Sequence, residues 1–401
     1  MLTAQIIQRP VGQGGLCEGW VANGDQPKIR WLFDCGSNQL DLLRREMGKV
    51  SARIDLLFLS HLHSDHVVGL DHFLPQARVE EVVLPYLTAT TRVLLLGQAF
   101  SQGAVAGQFL EFMADPPAWL FARGVQRVTY VGGDDGGEAG SSTEPVEPGG
   151  DVEGQLKPKW SGDRSAQPST SIAPTGDVAV VAPGSQILLA ASGGLANWVF
   201  LPHVQTPSAA RQAAFDTLLA TSFPGLSSQQ IATSIWSKAN RAKLRACYDK
   251  LWKDHNLVSL SLYAGPLIEP PFFRTELQLG HGFWSQQAWS RSGSSASSSW
   301  GWISTGDADL SGVRRRDAFK RTYARYIPHV SVLLAPHHGS RHNWHDDILT
   351  GMTGLRIGLA AAGPNSYGHP HREVRDGFSA HGVRLRKIGK KRCLLQRTQI
   401  P

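Results

Sequence analysis

The six positions from 61 to 66 in Ser60-His61-Leu62-His63-Ser64-Asp65-His66 gather four side chains able to hold a metal ion: His61, His63, Asp65 and His66. A solvated loop needs far fewer ligand-capable groups than this. Neutral imidazoles and a carboxylate suit Zn²⁺ and other first-row ions. The run IDLLFLSHLH (54–63) is apolar until it meets the histidines, so it reads as a buried strand ending in a functional loop. A strand end would project His61 and His63 to one side, and the turn would carry Asp65 and His66 around a second ion.

Further ligands are expected from later strand ends: Asp307 in STGD (304–307), His337 and His338 in PHHGS (336–340), and His369 in NSYGHP (365–370). Taken singly, an Asp after Gly is a common turn residue and a histidine is commonly packed structure. Taken together, a carboxylate between two histidine-rich half-sites can bridge two ions about 3.5 to 4 Å apart. Two such ions lower the pKa of a bridging water and set a hydroxide in line with an electrophile. Asp65 could accept the proton, and His369 with nearby cations could stabilise charge on a phosphodiester. A lactone, thioester or β-lactam could be opened by the same parts.

The elements that must position these residues follow from the apolar runs. IRWLFDCGS (29–37) reads as a second buried strand, and the segment 84–113 as helices on the outer face. Residues 134–177 are rich in Gly, Ser and Pro and are expected to be a flexible insert. Strands resume over 177–204, a helical insert spans 206–255, and strands return at 257–265, 300–310 and 329–340. A basic helix is expected over 314–326, and 355–389 reads strand, loop, helix, strand. Two runs of strands with flanking helices predict one layered α/β domain over 1–401, built of two similar halves.

The chain has 401 residues, 41% of them hydrophobic, which is enough for a core and excludes a wholly disordered protein. Its four cysteines, Cys17, Cys35, Cys247 and Cys393, are scattered without a CxxC pair, so neither a disulfide framework nor a thiolate zinc knuckle is expected. No run approaches the roughly 20 apolar residues of a membrane span, and the first residues lack a signal peptide's pattern. A cytoplasmic protein without a membrane role is the expectation.

The formal net charge of +7 favours an anionic substrate. Arg314, Arg315, Arg316, Lys320, Arg321 and Arg325 share the basic helix, and Arg384, Arg386, Lys387, Lys390, Lys391 and Arg392 crowd the C-terminus, a distribution suited to a nucleic-acid backbone. A solubilising surface would have the same composition. Trp284, Trp289, Trp300 and Trp302 flank a serine-rich loop (291–300) and could stack on bases, although buried tryptophan is the commoner use.

The series VGQG (11–14), DCGS (34–37), SHLHSDH (60–66), NLVSLSL (256–262), STGDAD (304–309), PHHGS (336–340) and NSYGHP (365–370) resembles the metallo-β-lactamase superfamily. Within it the motifs look most like the branch typified by the hydrolase domain of the DNA-uptake protein ComEC. The resemblance implies a four-layer αββα sandwich with a di-metal site at one rim. It implies that His61 and His63 hold the first ion, that Asp65 and His66 hold the second, and that Asp34 orients ligands from the floor. Asp307 matches the bridging carboxylate, and His337 and His338 match the late histidine motif, with His338 preferred because it precedes Gly339. His369 matches a histidine that ligates metal or contacts phosphate. Zinc is the first expectation and manganese the nearest rival.

One departure stands out. Most superfamily members carry a further ligand histidine between the first cluster and the bridging Asp, and here only His203, His255 and His281 stand in that interval, with His203 read as structural. The first ion would then be held more weakly or be completed by His369. Three functions follow: a metal-dependent phosphodiesterase or nuclease acting on nucleic acid, a small-molecule ester or lactone hydrolase, and a component activated by a protein partner docked on the two inserts.

Overall fold

The computed structural model describes residues 1–102, 107–134, 147–149, 152–166, 176–235, 237–251, 258–280, 284–291 and 299–401. From the N-terminus, β1 (Leu2–Gln8), β2 (Gly14–Asn23) and β3 (Ile29–Ser37) form an antiparallel meander. Burial alternates along β1, with Leu2, Ala4 and Ile6 turned to the core, as expected for a strand with one dry face.

Parallel strands follow, each reached by a helical crossover. α1 (Leu40–Met47) leads to β4 (Arg53–Phe58), α2 (Ser64–Val67) and α3 (Leu70–Phe73) lead to β5 (Arg78–Pro85), and α4 (Ala89–Gln102), α5 (Gly107–Ala114) and α6 (Pro116–Phe121) lead to β6 (Arg127–Val131). Apart from Arg53 at its start, β4 is buried along its length, because both faces of a parallel sheet are covered. The short β7 (Gly133–Asp134), β8 (Glu153–Trp160) and β9 (Ser165–Ala166) come next, before β10 (Asp177–Val181).

The second half repeats the plan. β11 (Ile187–Ser192), β12 (Gly194–Gln205) and β13 (Ser259–Gly265) are antiparallel, with α7 (Ala209–Ser222), α8 (Ser228–Ser234) and α9 (Lys238–Leu251) between β12 and β13. A hairpin of β14 (Phe272–Leu279) and β15 (Trp284–Arg291) precedes the parallel set β16 (Gly301–Ser304), β17 (Val330–Leu334), β18 (Ile357–Ala360) and β19 (Arg384–Lys387), crossed by α10 (Val313–Tyr323) and α11 (Arg372–Ala380). The last strand, β20 (Leu394–Ile400), pairs with both β1 and β14.

Among the described residues one sheet has the order β15-β14-β20-β1-β2-β3-β4-β5-β6-β10-β9, and the other β19-β18-β17-β16-β13-β12-β11-β8 with β7 beside β12. The two face each other across a shared aromatic core. Trp31 and Phe33 of β3 and Phe58 of β4 meet Phe200 of β12 and Trp302 of β16, with ring centroids 5.4 to 5.8 Å apart. Phe319 and Tyr323 of α10 and Val374 and Phe378 of α11 cover the far side of the second sheet over Val199, Ile303 and Leu333. Leu43 of α1, Phe73 of α3 and Leu120 of α6 are buried with the first sheet. This is the mixed α/β, two-sheet architecture expected of the αββα sandwich. All four cysteines are unpaired, and no described helix is long and apolar enough to cross a membrane.

One expectation needs correction. The segment 134–177 is not loop throughout, because β8 joins the edge of the second sheet against β11, and β9 pairs with β10. Leu156 of β8 is fully buried, Trp160 donates to Glu81 Oε1 at 2.9 Å, and Asn23 Nδ2 donates to Val152 O at 2.6 Å. An edge strand with one wet face has a composition close to that of a loop, which is why Gly and Pro content misread it. The remainder of that insert, 135–146, 150–151 and 167–175, lies outside the described residues, as do 252–255 at the end of the helical insert, 256–257 after it, and 292–298 of the serine-rich loop.

Trp300 and Trp302 are each 1% exposed, packed against Phe273 and Trp31, so they are core and offer no face to a base. The side chains of Trp284 and Trp289 lie outside the described residues.

Candidate metal centre

Loops leaving the carboxyl ends of β4, β16, β17 and β18 open at one rim, where parallel α/β sheets place their ligand sites. The loop after β4 brings His61, His63, Asp65 and His66. Asp307 follows β16, His337 and His338 follow β17, and His369 follows β18. Each half of the sandwich therefore contributes from strand ends that stop facing one another.

Asp34, near the end of β3, forms the floor. It is 1% exposed, and its Oδ1 accepts from Ser60 N at 2.7 Å. Its Oδ2 accepts from Ser60 Oγ at 2.8 Å and from His66 Nδ1 at 2.7 Å. These bonds fix tautomers by elimination. Ser60 has a single hydroxyl proton, committed to Asp34, so Ser60 Oγ, 3.0 Å from His61 Nδ1, accepts the His61 proton. On the other side, Asn343 Nδ2 donates to Asp307 O at 3.2 Å, which leaves Asn343 Oδ1 to accept from His337 Nδ1 at 3.0 Å. Three rings are thereby turned with Nε2 toward Asp307, the arrangement by which outer partners orient metal-binding histidines.

Asp307 stands in the middle with its two oxygens divided. Its Oδ2 lies 3.4 Å from His61 Nε2 and 3.6 Å from His337 Nε2. Its Oδ1 lies 3.5 Å from His66 Nε2 and 3.8 Å from His338 Nε2. Asp65 Oδ2 sits 3.3 Å from His338 Nε2. Three overlapping groups of ligand atoms are close enough to share an ion: His61 with His63 and Asp307, His66 with Asp307 and His338, and His61 with Asp65 and His66.

The fit of divalent ions rests on what the protein leaves unsatisfied. Nε2 of His61, His63, His66 and His338, Oδ1 of Asp307 and Nδ1 of His369 are buried without a hydrogen-bond partner. Buried polar atoms are ordinarily paired, and a cluster of unpaired acceptors and imidazole nitrogens around a carboxylate is relieved by cations. Electrostatics agrees. Burial disfavours charge on His66, yet Asp34, Asp307 and Asp65 outweigh it and hold its pKa up at about 10. Burial raises Asp65, but His66 and His338 pull its carboxyl well below the usual range, and Asp307 is lowered against burial by His337, His66 and His338. Burial and the surrounding imidazoles push His61 far below the usual imidazole value.

The backbone is bent to make this cluster. Asp34 (φ 60°), His337 (φ 46°) and His338 (φ 57°) are the non-glycine residues with positive φ among the described residues, and all three stand here. Gly36 lies against the backbone of Asp65 and His66, where any Cβ would collide.

His369 is 7% exposed, in a loop that Asn365 fastens: Asn365 Nδ2 donates to Gly363 O and His369 O, and Asn365 Oδ1 accepts from His369 N at 3.0 Å. Its ring lies 5.4 Å from that of His337. Burial, with His337, His338 and His371, takes its pKa down to about 3.

All nine site residues expected from sequence thus lie at one rim. His203 does not, being 6% exposed on β12 with Nδ1 3.2 Å from Thr322 Oγ1 of α10, and His255 and His281 lie outside the described residues. Four neighbours had no role in the sequence reading: Ser60, Asn343, Asn365 and Gln98. Gln98 of α4 is fully buried beside His63 without a well-aligned bond, so α4 lies over the rim as well as on the outside. A lone amide in VLLLGQAF was its only signal.

The expected basic helix is partly consumed by structure. Arg316 and Lys320 bond to Asp347, and Arg315 bonds to Asp309.

Residues 21–151 match the family model of the metallo-β-lactamase superfamily. The chain is 40% identical over 74 residues to a ribonuclease Z of Deinococcus radiodurans, covering 18% of this chain and 20% of that protein. It is 39% identical over 49 residues to a ribonuclease Z of Exiguobacterium sibiricum, covering 12% and 16%. The matched segments span a fifth or less of these curated relatives. Among solved structures, human tRNase Z, short form, aligns with a TM-score of 0.34 and 11% identity over 96% of this chain and 91% of that one. A diphosphatase from the PhnP family aligns with a TM-score of 0.35 and 11% identity over 98% of both chains.

Proposed function

We propose that this chain, whose residues 21–151 match the metallo-β-lactamase superfamily, is a metal-dependent hydrolase that cleaves phosphodiester bonds in nucleic acid. The observation that carries the reading is the divided carboxylate of Asp307, flanked on each side by buried imidazole nitrogens. The ribonuclease Z segments that match this chain favour nucleic acid as the substrate, as does the net charge of +7.

In this reading His61, His63, His337 and Asp307 hold one ion, and Asp65, His66, His338 and Asp307 hold the other. His337 then takes the place of the ligand that the sequence lacks between the first cluster and Asp307, so in this reading His337 and His338 both ligate. When bound, two such ions supply Lewis acidity and an activated water. Zinc suits the donors, with manganese the alternative. Asp34 keeps the proton on His66 Nδ1, and Asn343 does the same for His337. Asp65, held as a carboxylate, can accept a proton released at the centre. His369, neutral at pH 7, offers a hydrogen bond to a phosphate oxygen without adding a charge.

The test is cleavage of end-labelled single- and double-stranded DNA and RNA by protein reloaded with Zn²⁺ or Mn²⁺, beside His61→Ala and Asp65→Ala. Cleavage is expected with the loaded protein and absent from both variants and after chelation. Failure to cut any of the four with both ions demonstrably bound refutes the stand-alone nuclease and turns attention to ester and lactone substrates or to an activating partner.

A further inference from the structure

Beside the metal centre stands an aromatic ring with no structural use. Tyr367 leaves 65% of its surface open, more than Phe272 at 46%, the other exposed aromatic residue among those described. Solvent exposure of a whole phenol ring forfeits the burial that would otherwise stabilise the fold. Its loop nevertheless holds it in place. Asn365 clasps both ends of the turn, and His371 N donates to Gly339 O at 2.9 Å, tying the loop to the residue after His338. The Tyr367 ring is nearly parallel to that of His369, with centroids 5.7 Å apart and planes 28° apart. A flat apolar face therefore begins one ring away from the cluster around Asp307.

A charged strip adjoins the same rim. Gly363, at the head of the loop, packs against Gln39, whose Oε1 also accepts from Gln13 N at 2.6 Å. Gly12 N donates to Gly389 O, and Arg45 donates to Lys390 O at 3.2 Å, so the turn holding Lys390, Lys391 and Arg392 lies alongside. These three cations are exposed.

We propose that Tyr367 is a stacking platform for an unpaired base flanking the scissile phosphate, with the adjoining strand running over Lys390, Lys391 and Arg392, so that the site takes single-stranded segments. This rests on the nucleic-acid reading above. A base inside a duplex already has both faces covered, whereas an unpaired base gains a partner, and such stacking is sequence-tolerant because every base has a flat face. The phosphates on either side need only point charges, which the three side chains supply.

The test uses metal-loaded Tyr367→Phe, Tyr367→Leu and Tyr367→Ala on single-stranded oligonucleotides carrying an abasic site at each position around the cut. Ala and Leu are expected to raise KM about tenfold with a smaller effect on kcat, while Phe, which keeps the ring, restores the wild-type KM. One abasic position is expected to raise the wild-type KM equally and to erase the difference between wild type and Ala. Metal content and melting temperature of each variant separate this from misfolding. If wild type cleaves but Ala and Leu match its KM, or the abasic scan is flat, stacking is refuted while the nuclease reading stands. If loaded wild type cuts no strand, the nuclease reading falls and this inference with it.

Discussion

The waist of the sandwich and its rim are built on the same strands, yet they differ in what they leave undone. β3 carries Trp31 and Phe33 into the waist and Asp34 into the rim, β4 carries Phe58 and leads to His61, and β16 carries Trp302 and leads to Asp307. At the waist the rings satisfy one another, and what stays unpaired there includes the neutral indole N–H groups of Trp31 and Trp302. At the rim the unpaired atoms are imidazole nitrogens and a carboxylate oxygen, costlier to bury and relieved together by cations. The waist leaves neutral donors unpaired, whereas in the proposed reading bound ions complete the rim.

Substitution should separate the two regions. His61→Ala or Asp307→Asn is expected to cut turnover by more than about a thousandfold, over 4 kcal/mol at about 1.4 kcal/mol per decade, while the metal-free protein melts as before or higher. Thermal melts of chelated protein beside single-turnover assays check this, and a large drop in the metal-free melt would merge the two regions. Trp302→Ala should do the converse, costing about 3 to 5 kcal/mol of stability with or without metal, read by denaturant titration.

A finer cut is made at Asn343, which touches His337 and the Asp307 carbonyl. Asn343→Ala is expected to weaken metal affinity about 10- to 100-fold, measured by competition with a chromogenic chelator, and an unchanged affinity would remove the orienting role. The smallest effect belongs to a partly solvated ion pair that touches neither the waist rings nor the ligand-capable side chains. Lys320 and Arg316 hold the Asp347 carboxyl down to about 2. A depressed carboxylate stabilises the fold above its unfolded value near 4 and loses that contribution as the pH falls through about 2. Asp347→Asn should therefore cost less than about 1 kcal/mol at neutral pH, since the pair is partly solvated, and the difference from wild type should vanish between about pH 4 and 2.

Much of this was legible in the sequence because a ligand cluster declares itself by residue type. His61 to His66, Asp307 and the His337-His338 pair each follow an apolar run, and a parallel strand ends where its apolar run ends. The orienting groups were hidden because their meaning is relational. Asn343 matters only through a ring six residues away that two turns bring back to it, and Gln98 only because α4 passes over His63. The fold was legible where burial was two-sided and failed where it was one-sided. β8 and β14 carry exposed or half-exposed residues along one face, which dilutes the apolar pattern.

The left-handed backbone at Asp34, His337 and His338 sets a limit on how this chain can be improved. Glycine or asparagine would sit at those positions with less strain than the residues present. A selection for heat resistance alone would therefore find its gains at Asp34 and at the two histidines proposed as ligands, and its winners would be durable and inert. Screens for robust variants need turnover as a second criterion from the first round.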